Sequence, residues 1–132
     1  MTDTVQGDGF AVGSLDGLGE GHGFRKIRGG LGVTAFGVNA LVFPPGFGAP
    51  PHFHDHQEEL YFVHSGTLGI RFGGEDGEEH LLEAGGLARV DAATVRAIRN
   101  ASETEDMVVL VVGGKDGYVG RDGHRPGEAI PG

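Results

Sequence analysis

Residues 46–66 read GFGAPPHFHDHQEELYFVHSG, and the way this stretch divides decides the fold. Its second half, EELYFVHS over 58–65, is rich in aromatic and β-branched residues and stops at Gly66, the pattern of a strand closed by a turn. Strand alternation sends Glu59, Tyr61 and Val63 to one face and Leu60, Phe62 and His64 to the other. The first half carries His52, His54 and His56. On an extended chain, side chains at i and i+2 share a face about 6.6 Å apart, so His52 and His54 can converge on one ion at roughly 2.0–2.1 Å each. His56 falls about 13 Å from His52 and needs a bend to join them. The polar residues 55–58 can supply a turn that swings Glu59 back beside the pair.

Outward from this stretch the chain alternates short β-type runs with turn signals: 33–43 ending at Pro44-Pro45-Gly46, 67–73 running into GGEDGEEH, HLLEAGG and LARVDA, 94–100, and 107–114. Turn signals every 8–12 residues mark a sandwich or barrel. Composition agrees. Glycine makes up 27 of 132 residues, and an all-helix fold would lose about 0.8–1.0 kcal/mol for each one placed in a helix interior. A collagen-like three-residue period is absent, and a hydrophobic content of 38% is enough for a core. Fourteen of the 27 glycines lie in 1–23 and 113–132, which read as arms or loops around one domain over 24–112, although Phe10, Val12 and Leu15 give the first arm something to dock with. Strands such as Leu60-Tyr61-Phe62-Val63 are apolar on both faces, so one face packs inside and the other meets a second sheet or a second subunit. A homodimer is the expectation.

The chain has no cysteine, which excludes disulfides, thiolate metal sites and a Cys nucleophile, and leaves nitrogen and oxygen to hold any metal. Ten Lys+Arg against 19 Asp+Glu give a net charge of −9, which repels a phosphate backbone, so nucleic acid is not an expected partner. The N-terminal residues lack a basic and apolar leader pattern, and the longest apolar run, 107–112, is far short of the roughly 20 residues of a membrane span. No membrane association and a cytoplasmic location are the corresponding expectations. The acidic run around Glu75, Asp76, Glu78, Glu79 and Glu83 lacks the ligand spacing of a calcium loop and reads as a solvated hairpin end.

Gly46, five residues, His52-Phe53-His54, four residues, Glu59, six residues and Gly66 together resemble the first motif of the cupin family. The resemblance covers about residues 32–112. It implies an all-β double-stranded β-helix, a jelly-roll barrel usually found as a homodimer with its ligand cavity inside, and it implies that His52, His54 and Glu59 are metal ligands. The second motif of that family is matched only in spacing. Gly85 is followed at the right intervals by Asp91, Ala93, Arg96 and Asn100, so Asp91 stands for proline, Ala93 for glycine and Arg96 for the fourth ligand histidine. No histidine lies between His80 and His124 to take that place, and His124 would have to fold back from the C-terminal arm.

Arg96 divides the functional readings, because a guanidinium stays charged and only donates. In one reading, Arg96 pairs with Glu59, the metal site is empty, and the protein is a non-catalytic binder of a small anion. In the other, His52, His54 and Glu59 hold Fe, Mn, Zn or Ni with open positions, Arg96 clamps an anionic ligand, Tyr61 lines the wall, and the protein is a metal-dependent dioxygenase or isomerase. His64 reads as exterior, His22, His80 and His124 as lying in polar turns or arms, Arg99 as outward, and Asn100 as a strand end. The run Lys115–Gly123 looks patterned, with no chemistry assignable to it.

Overall fold

A computed structural model describes residues 3–127. Strands β1 (Val5–Gly7) and β2 (Phe10–Val12) form a hairpin, followed by β3 (Gly23–Arg25) and a short helix α1 (Ile27–Leu31). The helix stops at Gly32, whose φ of 77° is the left-handed conformation glycine adopts without a Cβ penalty. Then come β4 (Gly37–Phe43), β5 (Phe53–His54), β6 (Glu58–Ser65), β7 (Leu68–Phe72), β8 (Glu79–Leu82), β9 (Leu87–Val90), β10 (Arg96–Asn100), β11 (Met107–Gly114) and β12 (Gly123–His124).

Two sheets face each other. One has five strands in the order β3-β4-β11-β6-β9, the other three in the order β10-β7-β8, and all pairings are antiparallel. Isolated bridges Gly48–Arg99 and His52–Arg96 lay the segment before β5 along the free edge of β10, and β12 in turn pairs with β5. Side chains from both inner faces make the core, with Leu41, Phe43, Tyr61, Val63, Leu68, Ile70, Val90, Ile98, Met107 and Val109 all buried. This is the expected all-β double-stranded β-helix. None of the described helices is long and apolar enough to cross a membrane.

The alternation read from the sequence sets the site. Along β6, Glu59, Tyr61 and Val63 are buried while Leu60 and His64 are exposed. Gly66, with φ of 80°, turns the chain where an added Cβ would meet Asp106 O at 2.6 Å, so the spacing from Glu59 to this turn is fixed by backbone contact. Asn100 is fully buried: its Nδ2 donates to Phe43 O at 3.1 Å and Glu105 O at 2.7 Å, and its Oδ1 accepts from Ser102 N at 2.9 Å. It therefore fastens the bottom of the barrel as well as ending β10.

The glycine-rich flanks, expected as arms or loops, carry β1, β2, the first residue of β3 and β12. Backbone pairing needs no apolar side-chain pattern, which is why composition did not reveal it. The C-terminal flank folds back onto β5, beside the histidine motif.

Candidate metal centre and cavity

His52 sits in the bridge to β10, His54 ends β5, and Glu59 is the second residue of β6. The turn between them brings all three side chains together, with their ligating atoms within 4.8 Å of one another. His54 Nε2 is 3.2 Å and His52 Nε2 3.9 Å from Glu59 Oε1, and the two imidazole rings stand nearly perpendicular with centroids 5.1 Å apart. His56 takes no part: it points to solvent, while its backbone N–H donates to Asp122 at 2.7 Å.

Asp122 is the residue the sequence reading missed. Its Oδ1 lies 2.8 Å from His54 Nδ1 and accepts from Gln57 Nε2 at 2.6 Å, while Oδ2 accepts from the backbone N–H groups of His56 at 2.7 Å and Gln57 at 3.1 Å. An ionised carboxylate only accepts, so His54 Nδ1 carries a proton and the ring is turned with Nε2 toward Glu59. Burial pushes the Asp122 carboxyl up, but the Gln57 amide, the two backbone donors and the His54 ring outweigh it and hold it well below the ordinary carboxylate range.

Glu59 follows the same logic. Burial raises it, yet the His52 and His54 rings and the Tyr61 hydroxyl, which donates to Oε1 at 2.9 Å, keep it ionised far below its usual range. For His54, burial lowers the pKa, and contact with Glu59 and then Asp122 more than reverses this, so its net shift is upward. Tyr61 is raised well above its usual value by burial and by the adjacent Glu59 charge.

The residues present fit a divalent metal. His54 Nε2 is buried without a hydrogen-bond partner, aimed at an ionised carboxylate with a second imidazole alongside. Ligand atoms around one ion at about 2.1 Å stand roughly 3–3.4 Å apart, the His54–Glu59 spacing already observed. Two imidazoles and one carboxylate suit Fe, Mn, Zn or Ni and leave coordination positions open.

Arg96 is fully buried, and its backbone exchanges two hydrogen bonds of 2.9 Å with His52, which places it directly across from that residue. The Arg96–Glu59 pair of the first reading is not formed. Glu59 is instead engaged by His52, His54 and Tyr61, and Arg96 Nη2 donates to Asp91 O at 2.9 Å, leaving Nε and Nη1 without partners. His124 does fold back, as a substitute ligand would have to, but its Nε2 meets Asp55 Oδ2 at 2.8 Å and not the triad. It is buried, contrary to its reading as a polar-arm residue, because β12 turns it inward over Phe53. Arg99 lies outward as expected, in a two-point contact with Glu79 at 2.7 Å.

A cavity of about 750 Å³ opens onto the triad. Glu59 and Tyr61 are buried members of its lining, to which Leu41, Phe43, Ile98 and Val111 add apolar surface. Arg96 is not among the residues lining it.

The family model described as a cupin domain matches residues 40–113. Among solved structures, the chain is similar to a cupin protein from Bacteroides fragilis, with a TM-score of 0.66 and 26% identity over 82% of this chain and 86% of that one. It is similar to a putative sugar phosphate isomerase from Acidithiobacillus ferrooxidans, with a TM-score of 0.59 and 23% identity over 68% of this chain and 56% of that one. An oxalate oxidase shares 19% identity at a TM-score of 0.56, over 63% of this chain and 43% of that one, so these last two likenesses concern the fold. No curated protein matches.

Proposed function

This chain belongs to the cupin family, and from that premise we propose that it is a metal-dependent enzyme of the dioxygenase or isomerase type, acting on a small anionic molecule in the barrel cavity. The observation that carries the reading is the buried, unpartnered Nε2 of His54, set by Asp122 to face Glu59 beside His52. His52, His54 and Glu59 would hold the ion. Bound there, Fe, Mn, Zn or Ni supplies Lewis acidity and open positions for an oxygen-bearing substrate. The protein supplies the rest. Glu59 stays ionised through its histidine and tyrosine contacts, and Tyr61 forms part of the largely apolar wall.

Arg96 is assigned the role of a buried positive charge beside the triad, favouring an anionic ligand there; its Nε and Nη1 have no protein partner to neutralise them. The same charge supports a second reading, a non-catalytic binder whose metal site stays empty, because a cation so close opposes a divalent ion. We assign a homodimer as well, on the outward face of β6, β9 and β11. There Leu60 and Leu87 are 41% and 60% exposed, and Phe62 stands between Leu87 and Leu110 in register.

Metal analysis of protein purified without a histidine tag separates the first two readings. About one equivalent of a transition metal, bound directly or after incubation with Fe²⁺, Mn²⁺, Zn²⁺ or Ni²⁺, is the expected result. Less than about a tenth of an equivalent overturns the metalloenzyme.

A further inference from the structure

Charge is distributed unevenly in this protein. The chain carries −9 overall with only ten Lys+Arg, yet four of those ten, Lys26, Arg28, Arg121 and Arg125, line the cavity that reaches the candidate metal triad. They come from the segments flanking the family-matched region 40–113: Lys26 and Arg28 from the end of β3 and from α1, Arg121 and Arg125 from either side of β12. Among the described residues Lys26, Arg121 and Arg125 have no ion-pair partner and are exposed, while Arg28 lies with its guanidinium 4.0 Å from the centre of the Tyr118 ring. Elsewhere on the barrel, Arg89 pairs with Glu58 and Arg99 with Glu79.

The cavity's own carboxylates do not neutralise these cations. Glu59 is taken up by His52, His54 and Tyr61, and Asp122 by Gln57, His54 and two backbone donors. The lining therefore combines the four cations, of which Lys26, Arg121 and Arg125 are exposed, with the apolar side chains Leu41, Phe43, Ile98 and Val111 and with the two imidazoles and the carboxylate. A cleft with an excess of one sign of charge, here four cations against Glu59 and Asp122, concentrates ligands of the opposite sign, and it does so against the net charge of the molecule. Arg side chains add two-point recognition of a planar carboxylate or a phosphate.

We infer that the mouth of the cavity is a subsite for a terminal anionic group, carboxylate or phosphate, of a substrate whose other end carries the oxygens that meet the triad. The inference rests on the functional reading above for the oxygen-bearing end alone; the anion subsite stands on the four cations. The apolar side chains of the same cavity suit a short hydrocarbon link between the two ends. The segments outside the common barrel thus select the substrate, and the barrel supplies the reacting centre.

Titration of the metal-free, isotopically labelled full chain with inorganic phosphate, and separately with glutarate, tests the subsite without a metal. Saturable backbone amide shifts confined to residues around 26–28 and 121–125 are expected, weakened at least tenfold by Arg121→Gln/Arg125→Gln and by Lys26→Gln, which lies on a different segment. The Arg89→Gln/Arg99→Gln variant, altered outside the cavity, should titrate as the parent does. The probe that saturates at lower concentration identifies the tail as phosphate or carboxylate. Shifts scattered over all surface cations, or unchanged in both mouth variants, overturn the subsite and leave the metal reading standing. A failed metal titration with a localised phosphate response does the reverse. In metal-loaded protein, 2-oxoadipate should bind at least tenfold more tightly than 2-oxohexanoate, which lacks the second carboxylate; equal affinities also overturn the proposal.

Discussion

His54 Nδ1 and Asp122 Oδ1 lie 2.8 Å apart across 68 residues of chain, and this contact orients the imidazole on which the candidate metal centre depends. Partners of this kind fix the ring, set its tautomer and raise the basicity of the ligating nitrogen.

Removing the partner should therefore be felt at the metal. Asp122→Ala is expected to lower Zn²⁺ or Mn²⁺ affinity by about 10–100-fold in calorimetric titration. It also strips the acceptor from His54 and from two backbone N–H groups, so the metal-free protein should lose about 2–3 kcal/mol in denaturant unfolding. Unchanged metal affinity in a folded variant would show that His54 is held by its packing alone.

The acid response of the metal-free protein carries the same signature. The folded-state pKa of Asp122 is lowered, so its contribution to stability is fully present above the unfolded carboxylate range near 4 and is lost as pH falls through the folded value. Unfolding measured from pH 7 downward should show Asp122→Asn less stable than the parent at neutral pH, with the gap closing below about pH 4. A constant gap across that range would contradict the assignment.

Arg96→His is expected to raise metal affinity. Residue 96 stands directly across the bridge from His52, and residues opposite one another on antiparallel strands project to the same face with Cβ atoms about 4.5–5.5 Å apart. The substitution removes a buried cation and offers a third imidazole as a fourth ligand. An unchanged Kd would mean that the position does not face the triad.

Tyr61→Phe deletes the hydroxyl that donates to Glu59 Oε1. A hydrogen bond to a charged group contributes about 1.5–3 kcal/mol, and a loss in that range is expected in thermal or denaturant unfolding of the metal-free protein. A loss below about 0.5 kcal/mol would show that the hydroxyl contributes little.

The apolar outer face of β6, β9 and β11 predicts self-association. Light scattering at tens of micromolar should give twice the chain mass, and Leu60→Lys/Leu87→Lys should shift the protein to monomer while preserving its β-sheet circular dichroism. A parent protein that scatters as a monomer would remove the dimer.

The barrel and the triad were legible in the sequence because both depend on short-range rules. Period-two alternation put Glu59 and Tyr61 on the inner face, turn residues such as Gly46 and Gly66 bounded the strands, and His52 and His54 lie two residues apart. The partner of Arg96 was not legible. A backbone carbonyl, Asp91 O, takes its Nη2, and no residue type announces a carbonyl. Nor was Asp122, which stands in the patterned but unassigned run before His124 and gains its meaning only when β12 pairs with β5.

The sequence by itself determined an all-β barrel and confined any metal to nitrogen and oxygen ligands, since the absence of cysteine and the local spacing left little else. The tertiary structure decided how the flanks enter. Their glycine-rich chain pairs through the backbone, a bond every residue can make and no side-chain pattern encodes. Only that pairing brings Asp122 to His54, and only the folded chain gathers Lys26, Arg28, Arg121 and Arg125 around one cavity.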